Sequence, residues 1–153
     1  MLVMCGAAGL ARPRGTMARK TLVGRLVLIA EDEVLISMDI ENTFKDAGAR
    51  VRICSTVEDA LAVAEHRDLA AAVVNHALHD GESSPLCKRL NQRGIPFVLF
   101  SGFVNVHGAC RTGVQIHKPT TSSTLLTTVA GLLRPQPTLV SPILPSGSVA
   151  TLT

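Results

Sequence analysis

The chain has 153 residues, 46% of them hydrophobic, which suits one domain of about 100–150 residues plus tails and excludes a disordered polymer. It holds no Trp, no Tyr and only four Phe, so a core must be built from Val, Leu, Ile and Ala. The net charge of +3 is uneven: Arg12, Arg14, Arg19, Lys20 and Arg25 sit in an acid-free opening, and the rest is slightly acidic, which argues against a nucleic-acid groove on it.

Residues 1–24 read as a flexible basic N-terminal extension without a clear period. Met17 offers an alternative start, and "MLVMCGAAGLA" lacks the basic region that opens a signal peptide. From there the pattern alternates. "RLVLIA" (25–30) is a buried strand. The stretch 32–49 places Ile36, Ile40, Phe44 and Ala47 at helical spacing, with Asp32 able to cap its start and Gly48 to end it. "RVRIC" (50–54) is a more polar strand, nearer an edge. A helix follows with Val57, Ala60, Leu61 and Ala64 on one face and Ser55 or Thr56 as N-cap.

"LAAAVVN" is the third strand, and "ESSPLCKRLNQRG" is a helix with Pro85 in its first turn and Gly94 at its end. "IPFVLFSG" and "GVQIHKP" are the fourth and fifth strands, and "TSSTLLTTVAGLL" is the last helix. Between the last two strands "FVNVHGACRT" leaves room for about two turns, and Asn105 and Gly108 oppose a helix there. The tail 134–153 is rich in Pro, Ser and Thr and is expected to be disordered, with a short docking motif around Leu139, Val140, Ile143 and Leu144 as the alternative.

Strands alternating with amphipathic helices predict an α/β fold for residues 25–133. The expected form is a three-layer α/β/α, doubly wound sandwich of five parallel strands in order 2-1-3-4-5, its fourth helix short or missing. No apolar run reaches the roughly 18–20 residues of a membrane span. Cys5, Cys54, Cys87 and Cys110 form no CxxC pair and are expected to be free thiols in a reducing cytoplasm.

In such a sheet, ligands bind outside the carboxyl ends of the strands. Four strand ends carry polar residues: Glu31, Asp32 and Glu33; Asn75; Ser101 with Gly102; and Lys118-Pro119. Adjacent carboxylates suit a hard cation such as Mg²⁺, and a lysine with a hydroxyl suits a phosphoryl oxygen. Each feature alone has an ordinary explanation as a cap or turn; the joint placement points to a site.

The set "LIAEDE", "AAVVNHALHDG", "PFVLFSG" and "HKP", in this order, resembles the receiver domain of bacterial response regulators, of CheY-like and therefore flavodoxin-like fold. The resemblance implies that Glu31 and Asp32 form the acidic Mg²⁺ pocket, with Asn75 and Ala77 in the same pocket. It implies that Ser101 and Lys118 sense the phosphoryl group, with Pro119 following a peptide that is often cis in the family. "PFVLFSGF" is also similar to the single-domain receivers of the Phe-Ala-Thr-Gly type, whose fourth helix is reduced.

Two departures stand out. Asn75 matches the phosphoacceptor aspartate, and a carboxamide is a poor nucleophile toward phosphorus. It also removes one negative ligand, so any Mg²⁺ binding should be weak. Gln115 stands where many receivers carry a rotating aromatic residue.

The resulting expectation is a degenerate receiver with no catalytic residue. It would bind a histidine kinase, phosphotransferase or regulator in the cytoplasm without aspartyl phosphorylation. The alternative is a phosphorylated regulator using another acceptor such as Asp80, although a turn-forming Asp is the ordinary reading of that position. A metal-dependent phosphohydrolase is a weaker third reading. His76, His79, His107 and His117 read as surface residues rather than phosphohistidine or metal ligands. The basic N-terminus, without aromatic interleaving, gives little support to nucleic-acid binding.

Overall fold

The computed structural model describes residues 14–102 and 106–135. Five parallel strands form the sheet: β1 (Leu26–Ala30), β2 (Arg50–Cys54), β3 (Leu69–Asn75), β4 (Phe97–Ser101) and β5 (Val114–His117). Their spatial order is 2-1-3-4-5, as the strand–helix alternation predicts. Five helices accompany them: α1 (Arg14–Leu22), α2 (Val34–Asp46), α3 (Val57–Ala64), α4 (Ser84–Gln92) and α5 (Ser122–Leu133).

Alternation along the central strands explains the three layers. In β1, Leu26, Leu28 and Ala30 join the cluster under α3 and α4, while Val27 and Ile29 join the one under α1, α2 and α5. In β3, Ala72 and Val74 take the first face, and Ala71 and Val73 the second. Both faces are therefore covered and the strands read as continuous apolar runs. Strand β2 is an edge, with Arg50, Arg52 and Ile53 exposed.

The helix ends follow their chemistry. Thr56 caps α3 by accepting from the Asp59 N–H at 3.2 Å. Gly48, at φ +88°, takes the left-handed turn after α2. Asp32, expected as the cap of α2, is not one: Glu33 holds that position without a side-chain bond, and the Asp32 carboxylate faces Asn75 instead.

Two expectations need correction. Residues 14–24 do not behave as a flexible extension. Helix α1 packs against α5, and Ala18 and Leu22 are buried in the core. The link to β1 is fixed by the Gly24 N–H donating to the Gly48 carbonyl at 2.9 Å and by Val23 closing over Gly48. An apolar pair four residues apart was enough to bury one face of a short helix. The domain therefore starts before residue 25; residues 1–13 lie outside the described part, as do residues 136–153 and the docking motif expected there.

Nor are all the cysteines free. Cys87 in α4 and Cys110 form a disulfide, with Cα atoms 5.0 Å apart. Twenty-three positions separate them in sequence, but the βαβ crossover returns the chain to the same side of the sheet. Cys54 is a buried free thiol, and Cys5 lies outside the described residues. Between β4 and β5, the described residues hold one 3₁₀ segment, Gly108–Thr112, in place of a full fourth helix. No helix among the described residues is long and apolar enough to cross a membrane.

Candidate functional site

The carboxyl ends of β1, β3, β4 and β5 bring the polar residues together. Glu31 follows β1 directly and is almost fully buried, at 2% exposure. Its backbone N–H donates to the Cys54 carbonyl, and its Oε1 accepts from the Glu33 N–H at 3.1 Å. Burial pushes the Glu31 carboxyl above its usual range. The Glu33 N–H and the Lys118 ammonium pull against that, while neighbouring Asp32 adds to it.

Asn75 closes β3 at the centre of the site. Its side-chain Nδ2 donates to Glu31 Oε1 at 3.1 Å and to Asp32 Oδ1 at 3.2 Å. The amide thus turns its two N–H bonds, and not its oxygen, toward the two carboxylates. From the other side Lys118, at the end of β5, places Nζ 3.4 Å from Glu31 Oε2 and 3.9 Å from Glu33 Oε1. Nζ also lies 4.6 Å from the centre of the Phe100 ring. A partial positive charge and a full one therefore face the buried carboxylate from opposite sides.

The remaining predicted residues sit at or follow the ends of β3, β4 and β5. Ser101 is buried at the end of β4 beside His117, and its carbonyl accepts the Lys118 N–H at 3.0 Å. The Lys118–Pro119 peptide is cis. Ala77 pairs with Glu82 in a two-residue hairpin, Ala77–Leu78 with Gly81–Glu82. Lys118 thus meets Ser101 through its backbone and shares the Glu31 carboxylate with Asn75, with Glu33 as its second ion-pair partner.

Sequence reasoning missed two participants, Ser83 and Phe100. Ser83, fully buried, donates its hydroxyl to the Asn75 carbonyl, and its N–H donates to the His76 carbonyl at 2.8 Å, so it pins the loop. Phe100 and Glu33 flank Lys118. His79 is exposed, with Nδ1 3.9 Å from Asp32 Oδ2. Glu33 was named from the sequence as the third member of the acidic triplet, and His79 as a surface residue.

Asp80 has a structural task. Its carboxylate accepts from the Val57 N–H at 2.6 Å and the Glu58 N–H at 3.1 Å, across the loop at the start of α3. These bonds, chiefly that from Val57, hold its pKa below the usual range.

The family resemblance raises the question of Mg²⁺. A hard cation would sit between Glu31 and Asp32, where the Asn75 NH₂ now donates to both. Position 75 contributes no anionic oxygen. Among the described residues no group of three or more His, Cys, Asp or Glu could hold a metal ion. The donor set fits a cation poorly.

Beside the site, Leu35, Ile36, Ile40, Phe100, Pro119 and Leu125 line an open, mainly apolar groove of about 340 Å³. On α2, groove-lining Leu35 is 83% exposed, and Val34 and Met38 of the same helix are 67% and 50% exposed.

No protein-family profile matches the chain. No curated protein matches it either. Solved structures do. SdrG from Sphingomonas melonis Fr1 is 31% identical, covering 74% of this chain and 98% of its own, with a TM-score of 0.61. The response regulator PhyR from Brucella abortus is 25% identical with a TM-score of 0.62. It covers 78% of this chain, which spans only about half (51%) of PhyR. A CheY-like response regulator receiver domain protein from Methanospirillum hungatei JF-1 shares the fold, with a TM-score of 0.65 at 23% identity over 72% of this chain and 94% of its own.

Proposed function

Because the chain belongs to the CheY-like response regulator receiver domains, we propose that it is a degenerate member that signals by binding a protein partner and takes no phosphate on residue 75. The observation that carries this reading is the Asn75 amide, which bridges Glu31 and Asp32 and which the resemblance matches to the phosphoacceptor aspartate. Attack on phosphorus needs an anionic oxygen, and this amide offers none. Its N–H groups, with Lys118, hold the acidic pair as a bound cation would. The pocket then needs no Mg²⁺ to keep its shape.

Asp80 is the alternative acceptor named by sequence. Its engagement with the first turn of α3 speaks against that use, since phosphorylation would uncap the helix. The partner is a histidine kinase, a phosphotransferase or another regulator, met in the cytoplasm. Support for a docking role comes from the apolar groove beside the site and the exposed side chains of α2.

The test is incubation with labelled acetyl phosphate and Mg²⁺. The wild-type chain gains no acid-stable, base-labile label, and Asn75→Asp gains it. Label on the wild type at Asp80 would establish the alternative reading.

A further inference from the structure

We infer that Cys87 and Cys110 form a reversible dithiol–disulfide site, and that its state sets the order of the short segment standing where a fourth helix would be. The reasoning begins with how that segment is held. Gly108–Thr112 is a single stretch of 3₁₀ helix, a conformation with poor hydrogen-bond geometry that depends on its surroundings. It lies against α4 through the Cys87–Cys110 bridge. One turn further along α4, the Asn91 side chain donates to the Ala109 carbonyl at 3.0 Å and accepts from Thr112 Oγ1 at 2.7 Å. Those amide contacts are exposed to competing water. The bridge is buried: Cys87 is 0% and Cys110 2% exposed, inside the cluster formed with Leu86, Leu90 and Phe97.

The bridge also reaches toward the site. The Cys87 N–H donates to the Ser83 carbonyl at 2.9 Å, and Ser83 in turn holds the Asn75 carbonyl. The covalent ring closed by the bridge contains all of β4, including Ser101. Opening it frees residues 106–113 from their covalent tie to α4.

The exchange partner is a small disulfide of the glutathione class. One cysteine thiolate attacks a glutathione disulfide sulfur and releases one glutathione thiolate. The second cysteine thiolate then displaces the other glutathione from the mixed disulfide. Two protein S–H bonds are replaced by one S–S bond, and two electrons and two protons pass to the two glutathione thiols. Because both sulfurs are buried, exchange runs through local opening of the segment, whose side-chain hydrogen bonds to α4 are exposed. In a reducing compartment, disulfides that form are characteristically redox-responsive.

The test uses the full chain equilibrated across glutathione buffers from fully reduced to fully oxidised. Acid quench followed by alkylation in denaturant with peptide mapping reports the thiols, and amide hydrogen exchange on the native protein reports order. We expect Cys87 and Cys110 to lose alkylation together in one two-electron transition, with Cys54 alkylated throughout. On reduction, exchange in residues 106–113 should quicken by about tenfold while β1 and β3 stay unchanged. Cys87→Ser should exchange like the reduced protein in every buffer; should it fail to fold, the wild-type series decides alone. Full alkylation of both cysteines in oxidised buffer, a bridge that survives every reducing buffer, or identical exchange in the two states would overturn the inference.

Discussion

Replacing Asn75 by Asp tests the electrostatics of the site most severely. The wild-type Nδ2 makes two charge-assisted hydrogen bonds, at 3.1 and 3.2 Å, each worth about 1.5–3 kcal/mol. The substitution removes both and sets a third carboxylate against two others. Like charges about 4 Å apart repel by about 4 kcal/mol at an effective dielectric near 20, an upper bound that rotation and protonation reduce. The net loss without a cation should be about 3–5 kcal/mol, or about 4 °C of Tm for each kcal/mol in a domain of this size. Adding Mg²⁺ supplies the missing positive charge, and at a hundred times its Kd it returns about 2.7 kcal/mol. Urea denaturation with and without Mg²⁺ measures both terms. The reasoning fails if Asn75→Asp is as stable as wild type in metal-free buffer, or if Mg²⁺ stabilises the wild type as strongly as the variant.

Other substitutions probe the supporting structure. Leu22 is fully buried, so Leu22→Ala should cost about 2–5 kcal/mol by urea denaturation, while exposed Lys20→Ala should change stability by less than about 0.5 kcal/mol; equal effects would return α1 to the status of a dispensable tail. Lys118→Met leaves buried Glu31 without its counter-charge and should cost about 3 kcal/mol at neutral pH. Since burial already raises the Glu31 pKa, the variant's native state holds that proton more tightly than the unfolded chain does. The loss should therefore shrink on acidification, as Glu31 protonates, and a pH-independent loss would contradict the pairing. Asp80 has a depressed pKa, so its cap on α3 is present above the unfolded-state pKa and fades as pH falls through the folded one. The amide protection factors of Val57 and Glu58, corrected for the intrinsic pH dependence of exchange, should fall across that acid window in wild type and be low at every pH in Asp80→Ala.

Most of the sheet was legible because β1, β3 and β4 are short apolar runs and a helix of clear period follows each of the first three strands. The strand order followed from the alternation, and the site followed from four strand ends whose polar residues converge on one edge. What escaped depends on contacts across the fold. Ala18 and Leu22 offer one apolar pair in a polar, Arg-rich stretch, too little to signal a helix, yet enough to bury it against α5. The Cys87–Cys110 bridge joins residues that only the crossover makes neighbours. Asp32 looked like a cap by position and Asp80 like a turn residue. Their bonds go instead to Asn75 and to the start of α3, partners more than twenty residues away along the chain. Ser83 carried no signal, because a hydroxyl aimed at a buried carbonyl reads in sequence as an ordinary helix start.

The role given to Asn75 is tested most directly by following its side-chain amide NMR signals while Mg²⁺, and then the phosphoryl mimic beryllofluoride, are added to the wild-type protein. Signals that keep their positions, with slow exchange of the two bonded protons, are the expected result. Saturable shifts at millimolar Mg²⁺ would mean that a cation takes the place assigned here to the amide.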